Sequence, residues 1–262
     1  MSGSARLPLS VVIITLNEER NLGRCLKSVA WAAETIVVDS GSTDRTLEIA
    51  KEHGAKVHVI EWAGFGPAKG AGVAQASHDW VLSVDADEEV SNELADEIRR
   101  TISNPDASDG YDMPRKTRFL GRWIKHCGWY PDRVLRLFKK SKGGFNDARI
   151  HEAVEVNGSV GHLSGELLHH CYPSLEHYLA KSNRYTTIGA REAYRSGKRA
   201  GVFDLVIRPP VSFISHYFVR QGFLDGLEGL LVSALSAVAV LVKYAKLRQI
   251  QRNPELLEQE DQ

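Results

Sequence analysis

The apolar positions of the first hundred residues fall into two alternating kinds of run. Ser10–Thr15 is β-branched throughout its centre (Val11, Val12, Ile13, Ile14), the pattern of a strand covered on both faces. Leu22, Cys25, Leu26 and Val29 then recur at helical spacing behind the acidic start Glu18-Glu19. A second strand follows over Thr35–Asp39. Ser42-Thr43-Asp44 opens a helix over Leu47–Glu52 that stops at His53-Gly54, and Lys56–Glu61 is a third strand. The series ends with a small-residue helix over Pro67–Ala76, a strand over Trp80–Asp85 and an amphipathic helix over Glu93–Ile102, entered through Ser91-Asn92. Strands and helices of these lengths, joined by short connections, predict an α/β fold with an open, mostly parallel sheet flanked by helices. Ligands of such sheets sit beyond the carboxyl ends of the strands. That singles out Thr15-Leu16-Asn17-Glu18, Asp39-Ser40-Gly41-Ser42, Trp62 to Lys69, and Asp85-Ala86-Asp87-Glu88-Glu89.

Beyond Pro105 the pattern changes. Residues 111–142 hold ten basic residues against two acids, interleaved with Trp123, Trp129 and Tyr130, and show no clean helical period, so short strands and loops are expected. Leu175–Tyr194 is helical. After the Pro209-Pro210 break a last helical region runs from Val211 to about Gln251. Three regions result: a ligand-binding α/β half (1–110), mixed strands and loops of the same domain (111–172) and C-terminal helices (173–262). The run Leu7–Leu16 lacks the basic flank and cleavage site of a signal peptide. Gly229–Val242 is uncharged over about 14 residues, short of the ~18–20 that span a bilayer, so no spanning helix is predicted.

Composition adds exclusions. The chain has 262 residues, 43% apolar and 25% charged, without low-complexity tracts, which rules out a disordered or fibrous protein. Lys+Arg and Asp+Glu both number 33, which argues against a dedicated nucleic-acid binder. The neutrality is a balance of halves, since residues 1–110 carry 18 acids against 10 basic residues and the basic excess lies beyond. Cys25, Cys127 and Cys171 are widely spaced with no C-x-x-C pair, so neither a disulfide scaffold nor a zinc ribbon is written here and a reducing compartment is expected.

The chemistry concentrates at the strand ends. Asp85 and Asp87 close a buried strand with no basic neighbour in sequence, and where the chain turns both can converge on one site. A divalent cation best relieves their repulsion, and a hard cation with few protein ligands completes its shell with phosphate oxygens and water. Asp39 precedes a glycine turn and can accept hydrogen bonds from a base or ribose, whereas helix capping suits Asp44 better. His169-His170-Cys171 does not read as a zinc site, because neighbouring side chains rarely converge on one metal.

Together Val12-Ile13-Ile14-Thr15-Leu16-Asn17-Glu18-Glu19, Val37-Val38-Asp39-Ser40-Gly41-Ser42-Thr43-Asp44 and Asp85-Ala86-Asp87-Glu88 resemble the nucleotide-sugar domain of family 2 glycosyltransferases, with the GT-A fold. Further matches at Trp129 to Phe138, Ile150-His151-Glu152 and Gly222-Phe223-Leu224-Asp225-Gly226 resemble its lipopolysaccharide core glucosyltransferase branch. The resemblance implies that Thr15, Asn17, Glu18 and Asp39 line the base and ribose. It implies that Lys69 faces the nucleotide, although Gly70 follows it where an Asn is common, and that Asp85 faces the ribose or metal. Asp87 would bind a divalent metal, Mg²⁺ or Mn²⁺, that bridges the diphosphate, with Glu89 as a further ligand. The reaction implied is inverting transfer of a hexose, with glucose from UDP-glucose as the best match, onto a lipopolysaccharide core or other lipid-linked saccharide. The enzyme would be cytoplasmic, at the cytoplasmic face of the inner membrane.

Inversion by single displacement needs a general base for the acceptor hydroxyl. Glu152 sits where the resembling family places this acid, with Asp132, Asp147 and Glu155 as rivals. His151 either orients that base, approaches the diphosphate or is structural. Arg133 and Arg136 are read either as contacts to the diphosphate or a phosphorylated acceptor, or as the exposed face of a strand. Trp129, with Trp123 and Tyr130, is either a sugar platform or packing. The basic excess and the apolar C-terminal helices fit contact with an anionic membrane, packing on the core, or a second subunit. A dinucleotide-dependent oxidoreductase is disfavoured because the first turn has no G-x-G-x-x-G and is acidic, and nucleotidyl transfer because it lacks a basic, Gly-rich first loop. A non-catalytic nucleotide-sugar or saccharide-binding module on the same fold is the alternative.

Overall fold

The computed structural model describes residues 7–146 and 152–257. Asp147 and His151 lie outside the described residues. The chain forms two compact units, residues 1–116 with 131–171, and residues 117–130 with 172–262.

The first unit opens with the alternation anticipated above: β1 (Leu7–Thr15), α1 (Leu22–Ser28), β2 (Ala32–Asp39), α2 (Thr46–Glu52), β3 (Lys56–Val59), α3 (Phe65–Gln75) and β4 (Trp80–Asp85). β5 (Glu88–Val90), α4 (Asn92–Ile102) and β6 (Gly110–Phe119) follow. After β7 (Arg122–Trp123), which belongs to the second unit, come β8 (Asp132–Lys139), β9 (Gly143–Phe145), β10 (Val154–Val156), β11 (Val160–His162) and β12 (Leu167–Tyr172). The main sheet runs β3-β2-β1-β4-β8-β6-β12-β5. Its first four strands are parallel, whereas β4 with β8, β8 with β6, and β12 with β5 are antiparallel. The parallel half is covered on both faces, as the β-branched runs require. Val11, Ile13, Val37, Leu82 and Val84 pack to one side with residues of α1 and α4, and Val12, Ile36, Val38, Val81 and Phe138 to the other with Val73 of α3.

Register decides what meets at the carboxyl edge. Thr15 lies beside Asp39 and Ile14 beside Asp85, so the acids that end β2 and β4 flank the end of β1. Helix α3 sits close on this sheet because Gly72 leaves its backbone bare. A Cβ there would come within 2.3 Å of a Val12 methyl carbon and 2.8 Å of a Val38 methyl carbon. Lys69, one helical turn earlier on the same face, is thereby driven inward and is 1% exposed.

Two elements depart from expectation. α1 starts at Leu22, not at the acids, because Asn17 adopts a left-handed φ of 56° and residues 18–22 turn on the Glu18 carbonyl, which accepts from Asn21 N (3.0 Å) and Leu22 N (2.9 Å). Glu88–Val90 forms a strand, β5, that the sequence pattern does not predict, since β12 pairs with it.

At the other end of β2, the buried Glu34 carboxylate accepts from Ser10 Oγ (2.5 Å), Ser77 N (2.8 Å), Ser77 Oγ (2.8 Å) and Lys56 Nζ. Burial alone would raise this carboxyl, but Lys56 and the serine donors outweigh it and bring it from 4.5 down to about 2. Because the folded value is depressed, the stabilisation is complete above the unfolded value of 4.5 and is lost as pH falls from there towards 2. Glu34→Gln is therefore expected to lower stability at neutral pH by up to about 3 kcal/mol. Urea unfolding should show the gap to wild type narrowing at pH 3; a gap independent of pH would reject this origin.

The second unit is built on α5 (Leu175–Arg195), whose N-cap Ser174 accepts from His177 N at 3.2 Å. Short helices α6 (Val202–Val206) and α7 (Arg208–Ile214) follow. Pro209-Pro210 lies in the first turn of α7, where its missing N–H groups cost nothing, so the prolines start a helix here and a further helix precedes them. A π-turn (Ser215–Val219), a 3₁₀ turn (Gly222–Asp225) and α8 (Gly226–Arg252) complete the unit. α8 packs on α5 through Ala190, Ala193, Leu247 and Ile250. The uncharged 14-residue run proves to be the middle of a 31-residue helical stretch, Gly222–Arg252, that is long and apolar enough to cross a membrane by length and composition. The helix runs beyond the uncharged run at both ends, so length alone does not exclude a span.

Candidate active site

The loops that leave β1 and β2 are laced together. Asn17 N donates to Ser42 Oγ (2.8 Å), Glu18 N to Thr46 Oγ1 (2.8 Å) and Glu19 N to Asp44 Oδ2 (3.1 Å), while Thr43 N donates to Asn17 Oδ1 (2.9 Å). Glu18 Oε2 accepts from Asn21 Nδ2 at 2.8 Å. Asp39 is buried at the centre of this lacing. Its Oδ1 accepts from Gly41 N (2.9 Å) and Ser42 N (2.8 Å), and its Oδ2 from Thr15 Oγ1 (3.0 Å) and the Ser42 hydroxyl. Turn capping, read from the sequence as a poor fit to Asp39, is what both its oxygens do. Thr15, Asn17, Glu18 and Asp39 thus meet at one place, each engaged in shaping the rim at the ends of β1 and β2.

A second cluster forms at the end of β4. Asp85 stands between two buried cations. Lys69 Nζ lies 2.9 Å from its Oδ1, at ion-pair distance but off hydrogen-bonding geometry, and Arg136 Nη2 donates to its Oδ2 at 2.7 Å. Burial would raise the Asp85 carboxyl, yet Arg136 and Lys69 hold it well below the usual carboxylate range. Lys69 also donates to Glu152 Oε1 at 2.7 Å and lies 5.5 Å above the Phe145 ring. One ammonium therefore joins Asp85 to the candidate base. Glu88, fully buried, is held by Arg136 and Arg115, each at 3.3 Å, and its other oxygen accepts from Asp85 N at 2.9 Å. Burial would lower the Arg136 guanidinium, but Asp85 and Glu88 raise it.

Asp87 and Glu89 are met by histidines from β12. His169 Nε2 lies 3.2 Å from Asp87 Oδ2 and His170 Nε2 lies 3.0 Å from Glu89 Oε2, with Arg24 3.6 Å from Glu89. Burial would lower the His169 imidazole, but the hydrogen bond and charge of Asp87, with Cys171, raise it to about 10. The pairing follows from register, since Leu168 lies opposite Glu89 and His170 N donates to the Asp87 carbonyl at 2.8 Å. Sequence reasoning missed both histidines as members of this cluster. The signal was there in two consecutive polar residues inside a short strand, but their partner strand could not be read from spacing.

The strand-end acids are therefore not the bare, mutually repelling pair that the sequence suggested, because cations arrive from α3, β8 and β12. The donor set still suits a divalent ion at Asp87. Asp87 Oδ2 is paired with the His169 imidazolium at 3.2 Å, so an ion bound by Asp87 would take the place of that partner. No group of three or more such donors converges among the described residues, so phosphate oxygens and water would complete the shell.

Two other residues lie elsewhere. Arg133, at odd spacing from Arg136 on β8, donates to Asp112 Oδ1 (2.6 Å) and to the Leu163 carbonyl (2.8 Å), not to this cluster. Trp129 belongs to the second unit, where it packs against Phe119 (5.9 Å), Tyr172 (5.6 Å) and Tyr178 (6.4 Å between ring centroids), the packing alternative of the two readings. Of the rivals to Glu152, Asp132 is bonded to Arg115 at 2.6 Å, and Glu155 is the exposed residue of β10.

Acids at aligned strand ends, paired with cations from α3, β8 and β12, make this edge the candidate active site of an α/β protein. The chain belongs to glycosyltransferase family 2, whose family model matches residues 10–154. It is 31% identical over 256 residues to the lipopolysaccharide core biosynthesis glycosyltransferase LpsC of Rhizobium meliloti (strain 1021), covering 93% of each chain. It is 33% identical over 254 residues to an uncharacterized glycosyltransferase of Rickettsia typhi, covering 92% of this chain and 87% of that one. Among solved structures, S. aureus TarS 1-349 overlays on 95% of this chain and 92% of its own at 16% identity and a TM-score of 0.47. The protein is accordingly a glycosyltransferase.

Proposed function

We propose that the protein is an inverting, divalent-metal-dependent hexosyltransferase that moves glucose from UDP-glucose onto a lipopolysaccharide core or other lipid-linked saccharide at the cytoplasmic face of the inner membrane. The observation that carries this is the bridge through Lys69, which ties Asp85, at the end of the nucleotide-side strands, to Glu152. The relative's name, lipopolysaccharide core biosynthesis glycosyltransferase, supports the acceptor class.

In this reading Thr15, Asn17, Glu18 and Asp39 form the rim that receives the base and ribose, and Asp85 orients the ribose. Asp87, with Glu89 as a further ligand, would hold the divalent cation, which when bound supplies positive charge to offset the negative charge developing on the leaving diphosphate. His169 and His170 would hold these two carboxylates in place until the ion binds. Glu152 keeps one oxygen on Lys69, and no hydrogen bond reaches its Oε2 among the described residues. Oε2 takes the proton of the acceptor hydroxyl as the new bond forms at the anomeric carbon and the bond to the diphosphate breaks, releasing the nucleoside diphosphate. Arg136 acts on the site through Asp85 and Glu88 rather than as a free cation for the diphosphate.

Nucleoside diphosphate release from UDP-glucose, with and without Mg²⁺ or Mn²⁺, tests this. Release should need the metal, and Asp87→Asn should raise the metal concentration for half-maximal rate by about tenfold or more. Metal-independent turnover would overturn the metal assignment. Binding of the donor with no turnover in any acceptor mixture would leave a binding module instead.

A further inference from the structure

We propose that the second unit carries a lipid-binding face, formed by α6, α7, the π-turn and the start of α8, that lies in the plane of an anionic membrane leaflet without crossing it. It deepens the lipid-linked acceptor reading above, on which it rests only for its purpose.

The segment from 202 to 230 exposes large apolar side chains at nearly every turn. Phe203, Val206, Val211, Phe218, Val219 and Leu227 are each between 56% and 74% exposed. Scattered single apolar residues are ordinary on protein surfaces, but a run of this density on mutually packed short helices is not. The acids within the segment are mostly occupied. Asp204 is bonded to Gly201 N (2.9 Å) and to Arg208, and Asp225 is buried, accepting from Lys125 N (3.1 Å) and His126 N (2.7 Å). Exposed Lys198, Arg199, Arg208 and Arg220 flank or interrupt the apolar positions. Across the whole second unit, residues 117–130 and 172–262, there are 15 basic residues against 9 acids, four of those acids in the last eight residues. Apolar side chains set among cations, with few free acids, match the acyl boundary and headgroups of an anionic monolayer; a second copy of the same basic surface would be repelled.

The fold also argues against crossing. Only 17% of the apolar window of α8 is buried in the protein, yet the helix is tied to the polar helix α5. Lys246 Nζ donates to the Asn183 carbonyl and side chain (both 2.7 Å), Thr186 Oγ1 (2.9 Å) and Thr187 Oγ1 (2.7 Å). A spanning α8 would drag α5, with Lys181, Arg184, Arg191 and Arg195, towards the hydrocarbon.

The test mixes the full-length protein with vesicles of phosphatidylcholine alone or with added phosphatidylglycerol, and reads binding by flotation. The protein should float with the anionic vesicles, less so in high salt, and alkaline carbonate should release it. Phe218→Ser with Val219→Ser should weaken partitioning by about tenfold or more while leaving the melting temperature and UDP binding unchanged. Should that pair fail to fold, Phe218→Trp serves: its fluorescence should shift to the blue on vesicle addition and be quenched by brominated lipid. Four results would overturn the proposal: no flotation of wild type with either vesicle, undiminished flotation of the folded double variant, retention through carbonate, or a dimer in light scattering that the same substitutions dissociate. A protein that floats but transfers no sugar loses the reading of its active site and keeps this face; one that transfers to a soluble saccharide but does not float does the reverse.

Discussion

Replacing Glu152 with glutamine is expected to lower sugar transfer by roughly a thousandfold while leaving donor binding nearly intact. Glutamine preserves the shape and the oxygen that accepts from Lys69 Nζ at 2.7 Å, so the cluster around Asp85 should stay in place. What is lost is an oxygen able to take a proton, and the loss should fall on kcat. Isothermal calorimetry of UDP binding paired with steady-state turnover separates the two. Transfer within about tenfold of wild type would move the base elsewhere. A parallel fall in UDP affinity would mean instead that Glu152 acts by holding Lys69.

The largest expected effect on stability is at Lys69. Its ammonium is 1% exposed and serves two carboxylates, so Lys69→Met leaves Asp85 and Glu152 facing each other with Arg136 as the remaining strong cation beside them. Removing one partner of a buried ionic cluster costs about 3–5 kcal/mol, because the remaining charges stay desolvated. Urea unfolding followed by tryptophan fluorescence should show this loss. The double variant Lys69→Met with Glu152→Gln should be less unstable than the sum of the single changes, since the second removes one of the two stranded charges. Strict additivity would show that Lys69 stabilises through its packing on Phe145 and not through the bridge.

Much of the nucleotide-side half was legible in the sequence because its signals are local. β-branched runs such as Val11–Ile14 declare doubly covered strands, and the acids at the ends of β2 and β4 follow from where those runs stop. Loop lacing was not legible. Asp39 reads as a ligand contact because it precedes its turn, and only the folded loop shows that both its oxygens also accept from Thr15, Gly41 and Ser42. Arg133 and Arg136 looked equivalent until strand geometry sent them to opposite sides, one to Asp112 and the other to Asp85.

The sequence by itself determined the α/β alternation, the family and which strand ends carry acids, since each depends on residues close together in the chain. Only the tertiary structure decided which cations answer those acids. Lys69, Arg136, His169 and Glu152 come from a helix, two antiparallel strands and a loop, 16 to 84 residues away from Asp85 or Asp87 in sequence. Their convergence is set by strand register and by the close seating of α3 at Gly72, which no local spacing encodes. The C-terminal helices show the same division: composition foretold apolar helices, and packing alone decided which of their faces stay uncovered.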